Sequence, residues 1–143
     1  MIKAVVDTNL LVSGLISPRA APARIIDSWH KRKFILITSG EILKELQRVL
    51  TYPKIAKKYH LDKRKVEEYL RGFSAFAKIC LPTKRLTVIK DDPEDNKFIE
   101  VALFSGADFI VSGNHHLLDL GEYRGIKILT ASQFLKELGK VES

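Results

Sequence analysis

Short apolar runs alternate along this chain with longer segments whose apolar positions recur at helical spacing. Residues 4–6, Ala-Val-Val, form a continuous run of the kind expected in a central strand covered on both faces. Residues 34–38 and 109–111 read the same way, and residues 126–129 predict the last strand. After the first run, residues 10–16 lead to a break at Ser17-Pro18. Residues 21–31 predict a helix with Ile25, Ile26 and Trp29 inward, closing in the basic triplet Lys31-Arg32-Lys33. Ser39 suits the N-cap of a helix that carries Ile42, Leu43, Leu46, Val49 and Leu50 on one face. Pro53 interrupts it, and residues 54–76 read as one or two further helices, starting afresh near Asp62. Residues 78–81 predict a short strand, residues 86–89 a strand or extended segment, and residues 131–138 the closing helix. Strands alternating with helices imply an α/β domain with a mainly parallel sheet. At 143 residues the chain fits one domain, residues 1–143, without internal repeat, low-complexity segment or linker.

The clearest helix opens in the acidic stretch Asp91-Asp92-Pro93-Glu94-Asp95-Asn96 and runs to about Ser105, where Gly106 is a stop signal. Asp92 stands where an N-cap belongs and Pro93 where the first helical residue belongs, with Asp95 at the third. Asp95 also falls on the apolar stripe of Phe98, Ala102 and Ser105, flanked by Ile99 and Val101. A carboxylate there points towards the sheet; alternatively, Asp92 and Asp95 form a capping pair for the first amides.

Composition narrows the class of protein. Hydrophobic residues make up 45% and charged residues 29%, ordinary for a globular protein. The formal charge of +7 suits an anionic partner such as nucleic acid, or merely a soluble basic surface. Cys80, the one cysteine, excludes an internal disulfide and reads as core in a reducing compartment. Asp7 and Asn9 break the apolar run after Lys3, which therefore does not suit a signal peptide, and no stretch reaches membrane-spanning length. The expected location is the cytoplasm, with no membrane association.

In an open parallel sheet, sites form beyond the carboxyl ends of the strands. Asp7 and Asn9 follow one predicted strand there, and Ser112 and Asn114 follow another. On the helix after Ser39, Glu45 lies about 100° from the centre of the apolar face and Glu41 about 140°, so only Glu45 reaches inward. Three carboxylates converging from Asp7, Glu45 and Asp95 would repel by roughly 4 kcal/mol per pair at about 4 Å and an effective dielectric near 20. Something cationic must compensate, and oxygen-only ligands favour Mg²⁺ or Mn²⁺. His115 and His116 are adjacent and should face apart, one of them exposed, so a histidine metal pair is not expected.

The ordered set Ala4-Val5-Val6-Asp7-Thr8-Asn9, Glu45-Leu46, Asp92-Pro93-Glu94-Asp95-Asn96 and Gly106-Ala107-Asp108-Phe109-Ile110-Val111-Ser112-Gly113-Asn114-His115-His116-Leu117-Leu118 resembles the PIN-domain family over almost the whole chain. Asp-Thr-Asn alone is a weak signature; its combination with the last stretch is specific. The resemblance implies a three-layer α/β/α sandwich acting as a Mg²⁺- or Mn²⁺-dependent ribonuclease. Many members are toxins of prokaryotic toxin–antitoxin pairs, so the implied partners are RNA and a small antitoxin protein, with homo-oligomerisation left open. By the resemblance Asp7, Glu45 and Asp95 match the acidic metal ligands, and Asn9 and Ser112 the polar positions beside them.

One departure stands out. The family usually has aspartate where this chain has Asn114, which offers an oxygen but no negative charge. Asp92 or Asp119 are candidates to compensate, although Asp92 suits a cap and Asp119 a surface position. Asn114 itself suits an N-cap for a turn over residues 115–118. The resulting expectation is catalysis by Asp7, Glu45, Asp95 and Asn114, with Lys31, Arg32, Lys33, Lys57, Lys58 and Arg64 guiding the RNA backbone. The alternative is a PIN-like RNA- or protein-binding module whose catalysis is weak or lost through Asn114. An aspartyl-phosphate receiver or phosphatase fits Asp-Thr-Asn and Val-Ser-Gly-Asn poorly.

Overall fold

The computed structural model describes residues 1–142. In chain order its elements are β1 (Lys3–Val6), α1 (Thr8–Ile16), α2 (Ala21–His30), β2 (Ile35–Thr38), α3 (Gly40–Leu50), α4 (Pro53–Lys58), α5 (Lys63–Phe76), β3 (Lys78–Ile79), a 3₁₀ turn (Pro93–Asp95), α6 (Asn96–Ser105), β4 (Phe109–Val111), α7 (His115–Leu120), β5 (Glu122–Tyr123), β6 (Ile126–Leu129) and α8 (Ala131–Glu142). The strands form one sheet in the order β3-β2-β1-β4-β6-β5. All neighbours pair in parallel except β5 with β6.

The chain winds outward from β1 through β2 to β3, then crosses back to β4 on the other side of β1. Right-handed crossovers in opposite directions put their helices on opposite faces of the sheet, completing an α/β/α sandwich. On one face α1, α2 and α8 pack together; α6 lies across β1, β2 and β4. Gly14 permits the close approach of α1 to α2, because a Cβ there would lie 2.7 Å from Ile26 Cγ1 and 2.9 Å from the Pro22 carbonyl oxygen. Phe134 of α8 is fully buried edge-on to Phe34, ring centroids 5.0 Å apart.

The local signals act largely where they stand in the sequence. Asp7, Ser39, Asp62 and Asn114 cap α1, α3, α5 and α7 with their side chains. Gly106 ends α6 at a φ of +70°, the left-handed conformation that glycine adopts without a Cβ clash. Residues 8–16 are helical, beginning immediately after Asp7. Some expectations change. Neither the Asp92 nor the Asp95 side chain accepts a capping hydrogen bond from the turn or from α6. Residues 86–89 join no strand, since side chains of α6 take their amides: Glu100 accepts from Leu86, and Asn96 Oδ1 from Val88 and Ile89. Cys80 is only half-buried. His115 and His116 do not face apart: their rings lie 4.0 Å apart, with His115 exposed.

Candidate active site

The switch point of the sheet lies between β1 and β4, where the chain's winding direction reverses. Val6 pairs with Val111 there, and the Asp7 amide donates to the Val111 carbonyl at 3.0 Å. This register brings Asp7 beside Ser112, 105 residues later. Asp7 is 3% exposed; its carboxylate accepts hydrogen bonds from Leu10 N at 2.9 Å, Gly113 N at 3.3 Å and the Ser112 hydroxyl. Ser112 Oγ in turn accepts from Asn114 N at 2.9 Å. Burial pushes the Asp7 carboxyl above its usual range, and Glu45 adds repulsion, against the lowering effect of its three donors.

Asp95 reaches the same edge from the turn before α6 and is 7% exposed. Its pKa is pushed up to about 6, first by burial and then by the charge of Asp92, with a smaller push from Asp7; Lys97 and His116 pull it down. Asn114 Nδ2 donates to Asp95 Oδ2 at 3.0 Å, while Asn114 Oδ1 accepts from His116 N at 2.9 Å. Thus Asn114 caps α7 and presents its donor side to a carboxylate, which an aspartate would repel. Thr8 and Thr38, at the ends of β1 and β2, have buried hydroxyls without partners among the described residues.

Glu45 enters from α3 with its side chain 19% exposed, close enough for Asp7 to sense its charge. Its nearest partner is a cation of the protein itself: Lys97 Nζ donates to Glu45 Oε2 at 2.5 Å. Glu41 turns to Arg85, which donates to both its carboxylate oxygens at 3.2 and 2.9 Å. Among the described residues no three His, Cys, Asp or Glu side chains are gathered closely enough to hold a metal ion together. The expected three-acid cluster is therefore an electrostatic neighbourhood, with Glu45 drawn off to Lys97. Asn9 is exposed and its side chain makes no hydrogen bond among the described residues, and Asp119 is likewise exposed.

Reading of the sequence missed Lys97 and Glu100, both buried on α6. The repulsion argument asked for a cation, and that was the available signal. Lys97 is paired with Glu45 of α3 as well as Glu94 of the preceding turn, and Glu100 takes its partners from the extended segment before α6. The basic triplet also moves. Lys31, Arg32 and Lys33 precede β2, so they lie at the amino end of the sheet, opposite the carboxylates; Lys31 is paired with Asp27 at 2.9 Å. Lys57, Lys58 and Arg64 are exposed on α4 and α5, with Arg64 3.4 Å from Glu68.

A sequence model of the PIN domain matches residues 3–116, most of the chain, including Asp7, Glu45 and Asp95. The chain belongs to the PIN-domain family. PIN domains are generally nucleases that use divalent metal ions. This PIN domain is 33% identical to an uncharacterized protein of Methanocaldococcus jannaschii over 147 aligned positions, covering 97% of this chain and 93% of that protein. Its fold is similar to a chain in the crystal structure of VapBC2 from Rickettsia felis bound to a DNA fragment from their promoter. The TM-score is 0.59 at 14% identity, with 90% of this chain and 98% of that chain covered. Among the described residues no helix of the PIN domain is long and apolar enough to cross a membrane.

Proposed function

We propose that this PIN domain is a divalent-metal-dependent endoribonuclease that hydrolyses RNA phosphodiester bonds. The observation that carries the reading is the pair Asp7 and Asp95, both buried at the switch point and both with raised carboxyl pKa values. Two buried acids that repel each other and are served only by neutral donors fit a hard cation, and oxygen donors favour Mg²⁺ or Mn²⁺. Asp7 and Asp95 are the ligands, with Glu45 beside them in exchange with Lys97. The chemistry a divalent ion supplies there is Lewis acidity, which acidifies a water and stabilises charge on a phosphate oxygen.

The protein's own contribution is positioning. Ser112, Leu10 N and Gly113 N fix both oxygens of Asp7, and Asn114 ties Ser112 to Asp95. Lys57, Lys58 and Arg64 supply cations for the RNA backbone, whereas the triplet at residues 31–33 is on the wrong edge for that path. On the same reading a small antitoxin protein is the natural partner, and co-purification with the product of an adjacent gene tests it.

One observation favours a second reading, a binding module with weak catalysis: Asn114 spends its amide on Asp95 and adds no charge. Cleavage of single-stranded and structured RNA in Mn²⁺, Mg²⁺ and chelator, with Asp7→Asn as control, decides between them. Metal-dependent cleavage lost in Asp7→Asn supports the nuclease; RNA binding without cleavage at any metal concentration supports the module.

A further inference from the structure

Lys97 is a buried cation with every side engaged. Its side chain is 4% exposed, and its ammonium lies 2.5 Å from Glu45 Oε2 and 3.0 Å from the Glu94 carbonyl oxygen. The Glu94 carboxylate is 3.7 Å away and the Phe98 ring centroid 4.9 Å. A buried ammonium survives only when paired and hydrogen-bonded, so this one is tied to Glu45. Arg48, the other cation near Glu45, is farther away at 3.7 Å and largely exposed.

We propose that Lys97 is a resident counter-ion that competes with a divalent cation for Glu45 and limits the site to one ion, held by Asp7 and Asp95. The inference rests on the metal-dependent reading above. Two independent observations support it. Of the three acids, Glu45 is the one with a side-chain ammonium at hydrogen-bond distance, and no three His, Cys, Asp or Glu side chains among the described residues are gathered closely enough to hold a metal ion. The hydrogen-bond donors to Asp7 and Asp95 are all neutral, which leaves those two carboxylates to an external cation.

The test is calorimetric titration of Mn²⁺ into the intact protein, paired with thermal unfolding with and without Mn²⁺. Lys97→Met keeps a chain of similar length and removes the charge. It should bind Mn²⁺ roughly tenfold tighter or take a second equivalent, because Glu45 is released to the ion. Its metal-free Tm should fall and its Mn²⁺-induced rise in Tm should exceed that of the wild type. Lys97→Arg, which keeps the charge, should retain the wild-type stoichiometry. In a Glu45→Gln background, Lys97→Met should no longer alter Mn²⁺ affinity, since the two side chains act as one unit. If Lys97→Met does not fold, Lys97→Gln is titrated in its place. Equal loss of Tm with and without Mn²⁺, at unchanged affinity and stoichiometry, would overturn the proposal and leave Lys97 a structural pair. Where wild type binds Mn²⁺ through Asp7 and the Lys97 variants do not tighten it, this inference alone falls. Where neither wild type nor variant binds Mn²⁺, the metal-dependent reading falls with it.

Discussion

At the carboxyl end of the sheet Asp7, Asp95, Ser112 and Lys97 are buried polar groups, whereas at the amino end Met1, Trp29, Phe34 and Phe76 line an apolar concavity of about 590 Å³. The two ends belong to the same strands, and the difference follows from direction. In a parallel sheet the helices that follow strands begin at the carboxyl end, so α1, α3 and α7 bring their free amide termini there. Those amides donate to side-chain oxygens that cap them: Leu10 N to the Asp7 carboxylate, Ile42 N to the Ser39 hydroxyl, His116 N to the Asn114 side-chain oxygen. Charge can therefore be buried at this end. At the amino end the strands start and helices finish, no such donors gather, and the residues drawn together are apolar. Arg32, exposed to solvent, and His30 join the apolar side chains in lining that concavity.

The largest effect should come from the most buried acid. Asp7→Asn should abolish Mn²⁺ binding and cut cleavage by more than the ~10–100-fold typical of groups standing behind a metal ligand. Cleavage at the wild-type rate would show that the buried polar end is not the working end.

Asn114→Asp comes next. It keeps a good N-cap for α7 but replaces the donor to Asp95 by a like charge. Metal-free stability should drop by roughly 1–3 kcal/mol, the scale of a lost buried hydrogen bond. Mn²⁺ should recover most of it and bind more tightly than in wild type, as unfolding and calorimetry would record. No change in either, alongside an inactive Asp7→Asn, would place residue 114 outside the site.

A smaller, diagnostic effect concerns pH. The Asp95 carboxyl titrates near 6 when folded, against 3.8 when unfolded, so the folded state binds the extra proton between those values. Metal-free stability should then be greatest at the acid side of that window and fall as pH rises through about 6. Asp95→Asn should remove this part of the slope, and saturating Mn²⁺ should flatten it. A metal-free Tm that rises across the same window, in wild type but not in Asp95→Asn, would contradict the raised Asp95 carboxyl that burial and Asp92 produce.

The amino end supplies the null comparison. Phe76 is 74% exposed, so Phe76→Ser should shift stability by no more than about 0.5 kcal/mol and leave Mn²⁺ affinity and RNA cleavage unaltered. A change in cleavage would mean that the two ends are coupled through the sheet.

Much of the fold was legible because its causes are local. The apolar runs at residues 4–6 and 109–111 became the central strands, Ser39 and Asp62 capped the helices they precede, and Gly106 ended α6. Where the local pattern left a choice open, something distant decided it. Residues 86–89, expected as a strand or an extended segment, stay outside the sheet because their amides are claimed by Asn96 and Glu100 of the helix they lie against. The cap at Asp92 failed in a related way: its carboxylate makes no cap bond and instead adds repulsion at Asp95.

Periodicity and capping chemistry act over a few residues, and the sequence alone therefore determined the alternation of strands and helices, the caps at Ser39 and Asp62, and the inward placing of Asp95. Family resemblance supplied the order of those acids and the departure at Asn114. Which charges share a site was decided only by the tertiary structure. Strand register set Asp7 beside Ser112 across 105 residues, and helix packing set Lys97 against Glu45 across 52. A lysine on a helix reads as solvated in any local pattern, because its burial depends on neighbours that the chain supplies from elsewhere. Strand direction likewise decided which basic residues face the acids: Lys31, Arg32 and Lys33 are basic at any address, but the parallel sheet carries them to the far end. Local chemistry is short-ranged and readable along the chain; the electrostatic neighbourhood of a carboxylate is a property of the packed molecule.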